Sequence, residues 1–468
     1  MDSLQDSGDD TLLHRPGPDG SLQADVCIIG GGLTGLWTAY ELTERDPSLH
    51  IVVLERDFAG FGASGRNGGW CSALFPKSAS ALERNYGFDA AVAMRAAMTE
   101  TVAEVGRVVE REGIDCDYVR GGTVLFARDA VQWQDAKDEV AESARFGVDE
   151  SELWSADRVR SEFGVSGIDG PVHGAVFEPH CARVHPAKLV RGLARVVEQR
   201  GVRIFEGTAV TDFAPTVVRW EHRSRDENGE HGVLRAGTVR ARSVIVATEG
   251  YGAQLRGVGR RILPLYSLMI ATEPIDDEVW ERIGIQHGQT FSDYRNLLIY
   301  GQRTADNRFA FGGRGARYHF GSTIRAEYDR VERVFEHLRH TLAELFPDAA
   351  GARITHSWGG PLGVARDWHA SVSYNPKTGV GFAGGYVGDG LSTTNLAGRT
   401  LADLVTGRSS ELTRLPWVNH LSPKWEPEPL RFIGANLGLV ATDWADREQA
   451  VTGKASMIAK LTGPLTGH

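Results

Sequence analysis

Apolar and polar positions follow two different patterns along this chain. The first part begins with an unbroken apolar run, DVCIIG (25–30), which reads as a buried strand. GGLTGLWTAYELTER (31–45) then turns at helical period, with Leu33, Leu36, Trp37, Tyr40 and Leu42 on or near one face. Asp46-Pro47 stops that helix, and IVVLE (51–55) reads as a second buried strand. This is β–α–β, whose parallel strands cross over right-handed. Further on, the pattern predicts helices over 82–112, 130–146 and 185–201, a strand over 202–210, a polar turn at DENGEHG (226–232) and a strand over 243–248.

After Gly250 the pattern changes. Segments 262–272, 296–303 and 308–313 alternate or are aromatic-rich, and the last two flank Ala305-Asp306-Asn307 as an antiparallel hairpin. Residues 325–346 predict an amphipathic helix ended by Pro347. Strands return at ITHSWGG (354–360) and GVGFAGGY (379–386), with a helix from about 392 to 406. The expected organisation is a flexible leader over 1–20, a nucleotide-binding unit over 21–80, 170–255 and 355–410, an inserted unit over 81–169 and 256–354, and a partly helical C-terminal extension over 411–468. No internal repeat occurs.

Composition narrows the partners. The net charge of −10 argues against nucleic acid or an anionic membrane as the main partner. Cys27, Cys71, Cys116 and Cys181 are far apart and form no CxxC pair, so neither a metal site nor a disulfide framework is expected. The N-terminus lacks the basic start and apolar core of a signal peptide, and no run of 18 apolar residues exists. The expectation is a cytoplasmic protein without a membrane span.

Three glycine turns carry the chemistry. Gly30-x-Gly32-x-x-Gly35 follows a strand and opens a helix, so Leu33 and Thr34 amides sit where a pyrophosphate would bind. Glu55, followed by Arg56, ends the second strand, where its carboxylate can accept both hydroxyls of an adenosine ribose. The second turn is SVIVATEG (243–250), a strand ending in a turn with Thr248 and Gly250 that resembles the one passing the first loop in FAD proteins of this type; Val210 ends the strand expected over 202–210. No second strand–GxGxxG–helix unit exists to hold a nicotinamide, since GVGRR (257–261) lacks a third glycine and a preceding strand. The third is GGYVGDGLSTTNLAGRTLADLV (384–405), where Gly385, Gly388, Gly390, Leu391, Ser392 and Thr393 form a turn and a helix start. The positive end of that helix would face an electron-rich atom.

These motifs, with GASGRNGGW (62–70) and DYRNLLIYGQRTADNRFAFGGRG (293–315), resemble the D-amino-acid oxidase superfamily of FAD-dependent oxidoreductases, in its glycine/sarcosine oxidase branch, and most of all the gamma-glutamylputrescine oxidoreductase group. The resemblance covers about residues 22–440. It implies an α/β plus antiparallel-β fold: a Rossmann-like FAD-binding domain assembled from discontinuous segments, with an inserted substrate domain of antiparallel sheet plus helices. It implies that Ser64, Gly65, Arg66, Asn67 and Gly68 run beside the cofactor, with Arg66 facing flavin or substrate. No histidine lies in 51–80 to bond the flavin, so a non-covalent FAD is expected, with Cys71 the alternative attachment point. Where sarcosine oxidases carry a lysine that grips the substrate carboxylate, this chain has Ser392. That disfavours a small α-amino acid, and Asp389 beside it suits a second cationic centre. No lysine occurs between 189 and 376, so the acceptor is O2 used without a lysine, or another electron acceptor.

Tyr266, Tyr300, Trp358 and Tyr386 are candidates for an aromatic pocket. His319, Arg303, Arg314 and Arg317 are weaker candidates still, because most arginines on a hairpin are solvated. The implied reaction is oxidation of a small-molecule primary or secondary amine by hydride transfer to flavin N5, with Arg66, Tyr300, Trp358 and Asp389 at the reacting end. The imine then hydrolyses to an aldehyde or keto compound plus an amine. The alternatives are oxidation of a 2-hydroxy acid, with His356 or His369 as base, and a flavin-bearing non-catalytic subunit. A homo-oligomer is compatible with the sequence.

Overall fold

The computed structural model of the chain describes residues 15–147, 150–168, 170–225 and 231–466. Most of the expected leader and of the turn at 226–232 lies outside those residues. The described end of the leader is anchored: Arg15 pairs with Glu198 at 2.6 Å and with Glu206 at 2.9 Å.

β1 (Leu22–Ile29), α1 (Leu33–Arg45) and β2 (Ile51–Leu54) form the expected β–α–β unit. The strands run parallel, with Val26 opposite Ile51 and Ile29 opposite Leu54. A single turn, α2 (Ala63–Arg66), sits inside the glycine-rich stretch and leads to β3 (Trp70–Ser72). The helix expected over 82–112 is two helices, α3 (Ala79–Tyr86) and α4 (Phe88–Arg111). They break at Gly87, whose φ of +90° suits glycine and ends helical geometry.

Next come β4 (Thr123–Ala127), α5 (Ala130–Arg145), β5 (Glu152–Ser155), α6 (Ala156–Glu162), β6 (Gly174–Glu178) and β7 (Cys181–Arg183). α7 (Pro186–Gln199) starts on a proline, which has no amide hydrogen to leave unpaired. The strand expected over 202–210 splits at Gly207 (φ +61°) into β8 (Arg203–Phe205) and β9 (Thr208–Ala214). β10 (Val217–Arg225), β11 (His231–Val246) and β12 (Ile262–Thr272) follow, then α8 (Asp277–Ile283), β13 (Thr290–Asp293), β14 (Ile299–Arg303) and β15 (Phe309–Gly313). β14 and β15 form the expected hairpin, with Ile299 opposite Gly313. α9 (Glu332–Leu345) begins at Glu332 rather than 325, because Val331 is extended and Ala326–Asp329 forms a separate short turn. β16 (Ile354–Ala365), β17 (Ser371–Asn375), β18 (Val380–Gly384), α10 (Gly390–Thr406), α11 (Leu430–Thr452) and α12 (Met457–Thr466) complete the chain.

Two large sheets result. The first has the order β17-β18-β11-β1-β2-β8, with β10 and β9 attached to β11. β18, β11, β1, β2 and β8 are all parallel. The second has the order β16-β12-β15-β14-β13-β4-β6-β5. It is antiparallel except for the β13–β4 pair. β6 and β16, which lie at the edges of segments expected in the nucleotide-binding unit, pair into this second sheet. α4, expected in the inserted unit, instead buries Met94, Met98, Val102 and Val105 in the core of the first sheet. β3 and β7 form a separate two-stranded sheet.

The chain leaves β1 on one side toward β2 and returns on the other as β11. Their carboxyl ends open on one edge, where open α/β sheets bind ligands. Among the described residues, no helix is long and apolar enough to cross a membrane.

Candidate functional site

A cavity of about 440 Å³ starts at that edge and runs toward the second sheet. Its first half is made of backbone. Gly30 has φ +109°, and a Cβ there would stand 2.5 Å from the carbonyl oxygen of Ala247 at the end of β11. A Cβ at Gly35 would stand 2.0 Å from the carbonyl oxygen of Gly30, so Gly35 serves helix–strand packing and does not line the cavity. Gly32 starts α1 with no side-chain cap and lines the cavity with Leu33 and Thr34. The positive helix end suits an anion there, although the Leu33 amide is already taken by Ser64 Oγ.

Glu55, Arg56 and Val210 line the same end. The Glu55 carboxylate accepts from the Gly31 amide at 2.7 Å and the Asp57 amide at 2.9 Å. Burial pushes Glu55 up to about 7 against those two hydrogen bonds. Each of its oxygens can accept once more. The Arg56 guanidinium lies 4.6 Å over the ring of Tyr251.

The glycine-rich loop forms the middle of the wall through Ser64, Arg66, Asn67 and Gly68. Ser64 Oγ accepts from the Leu33 amide at 2.8 Å. Asn67 holds the loop's shape, donating to the Ala63 and Ser64 carbonyls and accepting from the Gly69 amide. Gly68 leaves room for the Tyr300 ring, 2.6 Å from where its Cβ would be. Gly65 packs on the Gly60 carbonyl outside the cavity. In β3 the strand alternation turns Trp70 and Ser72 to the cavity and buries Cys71 in the core of the first sheet.

Arg66 lines the cavity, but its guanidinium is committed to the protein. It pairs with Asp329 at 2.7 Å, and donates to the Gly359 carbonyl at 2.9 Å and the Tyr251 hydroxyl at 2.9 Å. Trp358 stands behind it, donating its indole N–H to the Arg66 carbonyl at 2.9 Å without lining the cavity.

The far half is made of side chains. The Tyr300 hydroxyl lies 2.7 Å from Ser267 Oγ, which donates to the Gly313 carbonyl. Arg314, one of the weaker candidates, lines the cavity; it donates to the Val387 carbonyl at 2.7 Å and lies 5.3 Å over the Trp368 ring. The turn after β15 folds it inward, a bend that hairpin polarity does not reveal. Asp389 faces it across the turn before α10, and no ion pair engages its carboxylate among the described residues. Burial pushes Asp389 up to about 6, with Arg314 pulling the other way.

Gly388, Gly390 and Leu391 line this end, as does Tyr386. Ser392 does not: its hydroxyl donates to the Ser72 carbonyl. Thr393 donates to the Asp389 carbonyl and also turns away, leaving Thr394 on the wall. Gly385 (φ +80°) shapes the turn behind the wall. Tyr266 packs against His319 and Tyr328 away from the cavity. His356 and His369 do not line it either, and among the described lining residues there is no lysine, histidine or cysteine.

Thr248 and Gly250 line the central wall. Glu249 between them is a residue that the sequence reading missed. Its carboxylate accepts from the amides of Gly385 at 3.1 Å and Tyr386 at 3.0 Å, tying the turn after β11 to the turn after β18. It is pushed up to about 7 by burial. An acid inside a strand-end turn gives no signal in the sequence, because its partners are the backbone amides of the distant Gly363, Gly385 and Tyr386.

The FAD dependent oxidoreductase family, DAO, matches residues 25–404. The chain belongs to this family. Gamma-glutamylputrescine oxidoreductase of Escherichia coli is 31% identical over 400 residues, 83% of this chain and 84% of its own. Probable oxidoreductase OrdL of Haemophilus influenzae is 30% identical over 401 residues, with the same coverage. Glycine oxidase from Geobacillus kaustophilus shares the fold, with a TM-score of 0.68 at 20% identity, over 86% of this chain and 100% of that one. As a DAO-family member the protein is an enzyme, an FAD-dependent amine or amino-acid oxidoreductase. The cavity fits the cofactor on its own evidence. Thr248 Oγ1 is buried on its wall with no hydrogen-bond partner among the described residues, and glycines stand where any Cβ would narrow the cradle. Glu55 would hold the adenosine ribose, the start of α1 the pyrophosphate, and the start of α10 the flavin edge.

Proposed function

We propose that this DAO-family enzyme oxidises a primary or secondary amine carrying a second charged group. The observation that carries this reading is the pair Arg314 and Asp389, which face one end of the cavity and are not ion-paired to each other. A cation and an anion opening on one space suit an amine with a carboxylate or a further cationic nitrogen. Arg314 takes the carboxylate, in the role that Ser392 cannot fill from its buried position. Asp389, ionised above about 6, takes the cationic nitrogen.

When bound, FAD supplies the hydride acceptor. The chain's own residues orient the amine and exclude water. Tyr300, Trp70 and Leu362 form the apolar wall against which the reacting carbon is held. Tyr300 is fixed by its hydrogen bond to Ser267. The Arg66–Asp329 pair buttresses the loop and adds no net charge. His356 and His369, the bases expected for a hydroxyl proton, do not line the cavity, and an amine that enters as its free base requires none. This favours amines over 2-hydroxy acids. The absence of cysteine and histidine from the described lining supports non-covalent FAD.

The printed name of the Escherichia coli relative, gamma-glutamylputrescine oxidoreductase, fits a long amine with charges at both ends. Steady-state assay of amines with and without a second charge tests the proposal. It predicts kcat/KM at least about 100-fold higher for the doubly charged set, the worth of one or two charged hydrogen bonds. Equal values across the set would refute it.

A further inference from the structure

α11 carries an apolar stripe that nothing among the described residues covers. Ile433, Leu437, Val440 and Trp444 are 49%, 63%, 43% and 57% exposed, and Leu430 at 61% extends the line. Trp444 lies eleven residues after Ile433, three turns of helix, so the stripe runs straight along the axis. The opposite face is bolted down. Arg431, Ala445 and Gln449 are buried there, Gln449 donates to Asp129, and Asp446 accepts from the amides of Asn296 and Leu297, while Asn436 at the flank of the stripe exchanges hydrogen bonds with the backbone of Tyr318. The helix is therefore already docked, and the stripe cannot be covered by rolling it over.

We propose that this stripe is the surface on which two copies of the chain pair through antiparallel α11 helices. The area argues for it. The five side chains present roughly 500 Å² of apolar surface, at the upper end of patches on monomers and close to the apolar share of about 800 Å² that each partner gives a stable dimer. The stripe also complements itself. With the crossing between Leu437 and Val440, each meets the other on the partner, and Trp444 falls on Ile433 and the open notch at Gly434. A membrane suits it poorly: Arg447 beside the stripe is paired with Asp443 at 2.9 Å, Lys454 and Lys460 lie beyond its C-terminal end, and the chain carries a net −10.

The test is the mass of the full FAD-loaded enzyme by analytical ultracentrifugation at about 10 µM, a concentration at which interfaces of this size are occupied. The expected result is twice the 51.0 kDa chain mass, halved in the double variant Leu437→Glu/Trp444→Glu with its melting temperature unchanged. A Leu437→Cys/Val440→Cys variant, which sets a cysteine opposite a cysteine in this register, is expected to give a disulfide-linked dimer under mild oxidation, since the four native cysteines are buried. A monomeric wild type, a dimer that survives both glutamates, or association with vesicles instead of self-pairing would each overturn the proposal.

Discussion

The two halves of the cavity are built by opposite means. At the Gly30–Glu55 end the ligand-facing groups are backbone amides and one carboxylate, held by a short β–α–β stretch of sequence. At the Arg314–Asp389 end they are side chains brought together from β14, the turn after β15 and the turn before α10. The first half depends on the absence of side chains and serves any dinucleotide. The second depends on their presence and sets which amine enters. Substitutions should divide in the same way: those in the first half remove the cofactor, and those in the second change the substrate.

The largest effect is expected from Gly30→Val. Its Cβ would meet the Ala247 carbonyl at φ +109°, costing about 3 kcal/mol of stability and the bound flavin together. Thermal melting and flavin absorbance after gel filtration check both. Arg314→Ala should keep the flavin and the fold but lower kcat/KM for carboxylate-bearing amines about 100-fold, about 3 kcal/mol. If it loses flavin instead, the division into halves fails.

Asp389→Asn should raise KM about tenfold for substrates with a second cationic nitrogen, the worth of about one charged contact. Asp389 sits above the usual carboxylate range at about 6, so its negative charge is present above that pH and lost as pH falls through it. The pH profile of KM should show an inflection near about 6 that the asparagine variant lacks. The smallest effect is expected from Ser392→Ala. Its hydroxyl serves the Ser72 carbonyl, so the variant should lose about 1 kcal/mol of stability with kcat/KM within about twofold of wild type.

The same contrast explains what was legible in the sequence. Gly30, Gly32, Gly35 and Glu55 declare themselves because one turn, one helix start and one strand end lie within a single β–α–β unit. The mixed α/β and antiparallel fold was readable for the same reason, from local periodicity and the β14–β15 hairpin. Arg314 was not. It follows a hairpin strand, where arginines usually meet water, and only the inward bend after β15 brings it to Val387. Arg66 was expected to face flavin or substrate, but the sequence does not show that its guanidinium is taken by Asp329, 263 positions away. Ser392 stands one residue from the wall, where the rotation of α10 decides between facing the cavity and facing Ser72. Side-chain sites assembled from distant elements leave no local pattern.

The measurement closest to the central claim is anaerobic mixing of wild-type and Arg314→Ala enzyme with a concentration series of amines, following loss of the flavin band near about 450 nm. Wild type should be bleached by amines carrying a second charged group. The variant should need about 100-fold more of the carboxylate-bearing ones to reach the same rate. Identical concentration dependence in the two proteins would contradict the account.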